Sequence, residues 1–482
     1  MGSILAILLA ADTILVAPFA AKDQAQPWMG VAVAEGLLDV VVQQNKDNFL
    51  TMKQLDAVLR RRDLRLDDAK VAPNALELAR ALGATDLISG VVSVTGNDAV
   101  LSAQRIKVAD GSTSAAAEAS GAQKDLAKLS QLLAQDLLGA SELPPPLTRS
   151  EKALEAAVRC EIILARQSIG AHSRMTLVPP KLDEAEKECR AAVAADPKLG
   201  LAHAGLSITL AARGKFNEAR KEARKTDRFV PFAVLAEAFV ARKGKDRQAW
   251  ADILARGVDE RPGFLHALGY LAEDRMEQGD DKEALVYLER YLLRSPAHTW
   301  AMGKKARELA RVGQLDEAIA LSEKALTMNP GDPELLIETA SRYIDAGRDA
   351  KAEPLLMQAM NAKPPRPLAA LRLGYLYIRT HRLPQAKETL ERAVQMATRE
   401  DEARTRGIAH ADLARVAAKQ NRYPDAVTEL QKARAEGNDK LPCDEPELAR
   451  WKERPELKQV CVEAAAKDAD DQAGDDAVPV DL

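Results

Sequence analysis

Side chains able to do covalent or metal chemistry are few in this chain, and they are poorly grouped. Four cysteines form two local pairs, Cys160 with Cys189 and Cys443 with Cys461. Neither pair has C-x-x-C spacing, which argues against zinc ligation and thioredoxin-like exchange. In an oxidising compartment each pair can be a disulfide. Otherwise Cys189 simply packs as a small hydrophobe at a helix contact. A straight helix would hold Cys443 and Cys461 roughly 27 Å apart, so they meet only if the chain folds back near Pro455. Six histidines (His172, His203, His266, His298, His381 and His410) stand one at a time, without H-E-x-x-H or an i, i+4 pair. Metal ligation is therefore not expected. No G-x-S-x-G elbow or Walker loop occurs, and serines and acids fall on ordinary helix surfaces. We expect no catalytic residues, no metal and no cofactor.

Composition narrows the class further. The 482 residues suffice for two or three domains, and a formal charge of −4 gives no footprint for nucleic acid. Apolar residues reach 46% with only 4% aromatic, because alanine and leucine supply the contacts. No internal stretch approaches the ~18 apolar residues of a membrane helix. The opening MGSILAILLAADT resembles the apolar core of a secretory signal without its positive flank. We read residues 1–12 as a signal-like leader; the alternative is an ordinary buried segment. Ala6 stands where myristoylation wants Ser or Thr, and no cysteine follows for a lipid anchor.

The elements that position these residues follow a period. Ala284, Ala318, Ala352 and Ala386 recur every 34 residues. Gly279, Gly313 and Gly347 each stand five residues before an alanine, with His381 in the fourth place. Pro296, Pro330 and Pro364 follow the first three alanines by twelve residues. Glycine ends a first helix, where positive φ costs it nothing. Alanine permits close crossing of a second helix, and proline blocks its further growth. Apolar residues between these marks keep helical spacing, as in Leu285, Leu288 and Leu292.

This pattern, clearest in LGYLY at 373–377 followed by Ala386 and Ala393, resembles the tetratricopeptide repeat (TPR). Weaker copies begin at Ala185, at Gly214 with Ala219, at Gly244 with Ala249, and at Leu413 with Ala426. About eight units are expected over residues 151–440, with an insertion at 171–180. The resemblance implies an all-α superhelical solenoid that binds protein partners along its concave face.

Residues 13–140 do not follow the repeat. A strand is expected over Thr13–Phe19 and a helix over Met29–Gln44. A short strand at Phe49–Thr51 and helices at Gln54–Arg61 and Ala75–Leu82 come next. Strands at Leu87–Val94, Ala99–Val108 and Ala115–Ser120 turn at Gly96-Asn97-Asp98 and Asp110-Gly111, before a helix at Leu126–Leu138. The fold class is thus multidomain: a small α+β N-terminal domain, then the solenoid. VAPF, AEGLLDVV, MKQLDAVL and LGATDLISGVVSV resemble the N-terminal domain of TolB, of the curli secretion protein CsgG and of outer-membrane activators of penicillin-binding proteins. That resemblance implies a periplasmic or envelope location, protein contacts and no catalytic residues.

Residues 141–150, with Pro144-Pro145-Pro146, read as a stiff spacer limiting how far two domains swing. Residues 441–466 read as a capping pair of short helices, and 467–482 as an acidic disordered tail. In the repeat register, Arg307, Arg311, Tyr375, Arg379, Arg415 and Lys419 fall on first helices and would make a basic inner stripe for an acidic peptide. The competing reading pairs each cation with a neighbouring glutamate. Together these features point to a non-enzymatic scaffold in a bacterial envelope assembly for outer-membrane biogenesis, secretion or motility. The alternatives are a contact regulator of an envelope enzyme such as a peptidoglycan synthase, and a cytoplasmic signalling adaptor.

Overall fold

A computed structural model describes residues 12–44, 47–61, 64–167, 179–225, 230–362, 366–398, 402–438 and 441–461. The leader at 1–11, the insertion at 171–178, Pro364 and the acidic tail lie outside the described residues. The chain divides into two compact units, 12–308 and 309–461, which are described separately.

The first unit opens with a mixed sheet of order β3-β1-β4-β5-β6. Its strands are β1 (Thr13–Val16), β2 (Ala20–Asp23), β3 (Asn48–Phe49), β4 (Asp86–Thr95), β5 (Asp98–Lys107) and β6 (Thr113–Ala122). β4, β5 and β6 form the expected antiparallel meander. The single strand expected over Thr13–Phe19 is instead two. Pro18 cannot donate to a ladder, and Phe19 N–H turns to the Gly30 carbonyl, so pairing with β4 lapses at 18–19 and resumes in β2. Both strands run parallel to β4, and β3 runs parallel to β1. One face of the sheet carries α1 (Pro27–Gln44) and α4 (Leu126–Leu138). α1 is apolar nearly all round and is buried at fourteen positions, from Trp28 to Val42. Gly30 lets it approach the sheet, since a Cβ there would lie 2.0 Å from the Phe19 carbonyl oxygen. α2 (Met52–Arg61) and α3 (Ala75–Ala81) complete this region.

Helices then follow in pairs. Within residues 12–308 these are α5 (Glu151–Gln167) with α6 (Pro179–Ala195), α7 (Gly200–Ala212) with α8 (Phe216–Ala223), α9 (Pro231–Lys243) with α10 (Arg247–Glu260), and α11 (Leu265–Glu277) with α12 (Asp281–Arg294). α13 (Thr299–Arg311) contains the boundary between the units. The second unit holds α14 (Leu315–Met328), α15 (Pro333–Asp345) with α16 (Asp349–Met360), α17 (Pro367–Arg379) with α18 (Leu383–Met396), α19 (Ala403–Lys419) with α20 (Tyr423–Ala435), and α21 (Pro446–Ala449).

The periodic residues do what their chemistry suggests. Gly279, Gly313 and Gly347 have φ of 72°, 88° and 71°, and His381 takes 59° in their place. Ala284, Ala318, Ala352 and Ala386 have no exposed surface. In the repeat before them the register differs from the expectation by one residue. Lys245 carries the positive φ of 61°, Gly244 does not, and Trp250 rather than Ala249 takes the contact position. Counting back 34 from Gly279 and Ala284 gives 245 and 250, so the strict period holds there although the residue types do not. Trp250 fits because the helix it meets, α9, offers alanines at 233, 236, 238 and 241.

Residues 141–150 do not behave as a spacer between bodies free to swing. Leu143 and Leu147 pack on one core that runs from the sheet into α5, α7, α9 and α11. Gln131 Nε2 donates to the Pro144 carbonyl, and Thr148 Oγ1 donates to Asp196 in the first repeat loop. The short β3 end of the sheet is closed by the repeats: Phe49 bridges to Phe264 in parallel, and its N–H reaches the Gly263 carbonyl at 3.3 Å. The sheet region and the first repeats thus share one apolar cluster.

Candidate protein-interaction site

Inside the first unit, polar residues of the sheet region meet the inter-repeat loops. Asn48 Nδ2 donates to the Arg294 carbonyl at 2.7 Å, and Thr13 Oγ1 donates to Ser295 at 3.2 Å. Thr51 Oγ1 lies 2.7 Å from His266 Nδ1, and Gln54 Nε2 reaches the Tyr291 hydroxyl, itself 3.0 Å from His298 Nε2. Burial drives His266 and His298 down to about 3, so both imidazoles are neutral.

The other described histidines are equally structural. His203 reaches Glu222 at 2.7 Å and His410 reaches Glu429 at 2.6 Å, each tying a first helix to its own second helix. His172 lies outside the described residues. No cluster of metal-ligating side chains occurs among the described residues.

An acidic pair at the α1–α5 contact is not apparent in the sequence. Glu35 of α1 and Glu161 of α5 hydrogen-bond to each other, which requires at least one to hold a proton. Burial pushes Glu35 up to about 7 and holds Glu161 well above the usual carboxylate range. Asp39 beside Glu35 and Asp56 beside Glu161 add repulsion, which Lys53 partly offsets. The pair lines a small cleft with Leu147, Leu201 and Phe232. Thirty-five and 161 share no motif or period, so only the fold could bring them together.

The cysteines are bonded as two bridges. Cys160 of α5 joins Cys189 of α6, with Cα atoms 5.4 Å apart. Gly205 of α7 lies over this bridge, where a Cβ would stand 2.9 Å from both sulfurs. Cys443 joins Cys461 across a fold-back at Trp451–Arg454, with Cα atoms 6.2 Å apart. That cap seals the last repeat, burying Leu448, Leu457 and Val460 against α19 and α20.

The basic stripe is largely occupied by the chain itself. In the first unit, Arg307 Nε lies 3.0 Å from Glu308. In the second, Arg311 is exposed at the end of α13, and Arg379 pairs with Asp349. Arg415 pairs with Asp412 and, at 2.6 Å, with Glu445; Lys419 pairs with Glu447. Glu445 and Glu447 belong to the cap, so the acidic segment these two cations hold is the protein's own stretch 441–461. The physical reason is proximity: a tethered carboxylate outcompetes a free one.

What remains open lies further back in the second unit. α17 packs beside α15 and α19, so its neighbours form one row of first helices. On α17, Leu368, Arg372, Tyr375 and Arg379 are exposed at i, i+4, i+7 and i+11, and so share one face. Leu368 is 42% exposed and Tyr375 39%. The adjoining α15 carries Glu334, Glu338 and Asp345 at the equivalent positions, with Glu334 paired to Arg366 and Asp345 to Arg342, each at 3.2 Å. Tyr377, one residue pair away, turns inward, and its hydroxyl donates to Glu353 at 3.0 Å. Arg382 clamps the same carboxylate at 3.0 and 2.8 Å.

Paired helices with these contacts define a repeat scaffold of the protein-binding kind. Residues 309–369 and 371–440 each match a family model described as tetratricopeptide repeat, so this part of the chain carries TPRs. Solved structures similar to the chain include PilW, a type IV pilus biogenesis factor, at 20% identity and TM-score 0.35, covering 44% of this chain and 96% of that one. Yeast Tom70 is 13% identical with TM-score 0.43, covering 68% of this chain and 66% of that one. MamA from Desulfovibrio magneticus RS-1 is 18% identical with TM-score 0.30, covering 36% of this chain and 96% of that one. No curated protein sequence matches the chain.

Proposed function

We propose that the protein is a non-enzymatic scaffold of a bacterial cell-envelope assembly, with the first-helix face of residues 309–461 as its main docking surface. The observation that carries this reading is the exposed Leu368–Arg372–Tyr375–Arg379 face of α17 beside the acidic face of α15. It suits a polypeptide segment that buries one or two apolar side chains while placing cations toward α15 and an anion toward α17. The two disulfides support an oxidising compartment, hence the periplasm, and agree with the signal-like leader. The N-terminal region, on its resemblance to TolB and CsgG, would contribute a second contact surface in outer-membrane biogenesis, secretion or motility. Crosslinked capture from intact envelopes tests the reading. The wild-type chain should retain a defined set of polypeptides, and Leu368→Ser with Tyr375→Ala should lose them by about tenfold or more. Identical capture by both proteins would remove this face from the function.

A further inference from the structure

The cleft at the α1–α5 contact is acidic at its inner end and apolar toward its mouth. Glu35 and Asp39 of α1 and Glu161 of α5 line it, and Asp39 and Glu161 are buried. Leu147, Val230 and Phe232 line it too and keep part of their surface in solvent, which places them nearer the opening. Glu161 is 7% exposed, and its Oε2 has no hydrogen-bond partner among the described residues. A carboxylate oxygen left in that state is costly until a donor reaches it. We propose that the cleft binds a primary alkylammonium ion, with the ammonium head on Glu161 and Glu35 and the methylene stem along Leu147 and Phe232.

Charge selects a cation. Asp56 stands beside Glu161 as a fourth acid, whereas Lys53 is the only cation among the described residues lining the cleft. One lysine and one shared proton leave the four acids with negative charge to answer. An ammonium that displaces this proton returns it to solvent, and its head then meets carboxylates that folding has already stripped of water.

Chemistry and size narrow the choice. A metal ion does not fit, because no three acids, histidines or cysteines among the described residues are grouped to hold one. A guanidinium is broad and flat, and suits a carboxylate edge that it can meet with two parallel bonds. An ammonium is compact and brings three donors, enough to reach Glu161 Oε2 and a neighbouring acid together. The apolar mouth suits a stem of a few methylenes, which an inorganic cation lacks.

The test is saturation-transfer NMR on the full chain, titrated with n-butylamine and with n-butanol. The amine should bind with a Kd on the order of 1 mM, and the alcohol at least about tenfold more weakly. Glu161→Gln keeps the side-chain size and removes the charge. It should weaken the amine about tenfold or more and leave the alcohol unchanged, with circular dichroism matching wild type. Nα-acetyl-lysinamide tells the sources apart. Binding like that of n-butylamine assigns a lysine side chain of a partner, and binding by the free amine alone assigns a small diffusible amine. No transfer from wild type to either butyl probe at ~20 mM would mean that the cleft holds only water, and would overturn the proposal. So would a wild type that binds amine and alcohol alike, or amine binding that Glu161→Gln leaves unchanged. The α17 face takes no part in these readings, so they hold or fail independently of it.

Discussion

The acid pair gives unit 12–308 a pH dependence that can be signed. Glu35 binds its proton up to about pH 7 when folded, against an ordinary value of 4.5. Between those values the unfolded chain has released a proton that the folded chain keeps, so stability falls as pH rises through that window. His266 and His298 act oppositely: their folded values near 3 lie below the ordinary 6.5, and stability is lost as pH falls from 6.5 toward 3. Glu35→Gln keeps a hydrogen-bonding amide but removes the titration of Glu35, leaving that of Glu161. It should raise the unfolding midpoint at pH 8 by ~2–6 °C, on a gain of about 1–2 kcal/mol, and flatten the decline from pH 4.5 to 7. An unchanged pH profile in scanning calorimetry would mean the pair does not share a proton. A second residue-scale outcome concerns Arg415, which answers two carboxylates at once. Arg415→Glu should cost about 3–5 kcal/mol and expose α19–α21 to hydrogen exchange, since it leaves Asp412 buried beside new like charge. Charge reversal here therefore reports on the cap and not on partner binding; protection equal to wild type would refute the clamp.

At the scale of elements, legibility followed the strength of the period. Helix pairs from Leu265 onward could be placed from glycine and alanine spacing alone, because each mark answers a local need: a left-handed turn or a close crossing. Where residue type departed from that need, spacing was the better guide, as at Lys245 and Trp250. β2 was not legible: AAKD lacks β-branched residues, and only the free edge of β4 beyond Pro18 draws it into a strand. The docking face was only half legible. The register correctly put Arg379, Arg415 and Lys419 on first helices, but their ion partners lie 28 to 30 residues away on other elements. The cap itself is held by Cys443–Cys461, which closes a loop of 18 residues. Cys443→Ser should destabilise it by about 3 kcal/mol under oxidising conditions, seen as faster exchange in α20 and 446–461. Intact mass before and after reduction and alkylation should show no free thiols in native protein and four in reduced protein. Four free thiols in envelope-purified material would count against both the bridges and the periplasmic location.

At the scale of the molecule, the division of labour differs from the one the sequence suggests. The N-terminal sheet and the first four helix pairs form one compact unit, 12–308, joined through a common apolar core. The polar network at its seam is buried and satisfied in large part, which favours rigidity over ligand exchange. Residues 309–461 form the other unit, in which Leu368 and Tyr375 of α17 are exposed while its other apolar side chains are buried. Docking on that face is the claim on which the function rests, and site-specific photo-crosslinking in living cells examines it directly. A photoreactive residue replacing Tyr375, on the first-helix face, should yield a discrete polypeptide adduct. One replacing Met357, equally exposed on the second helix α16, should not. Adducts of the same kind and amount at both positions, or none at Tyr375, would contradict the account.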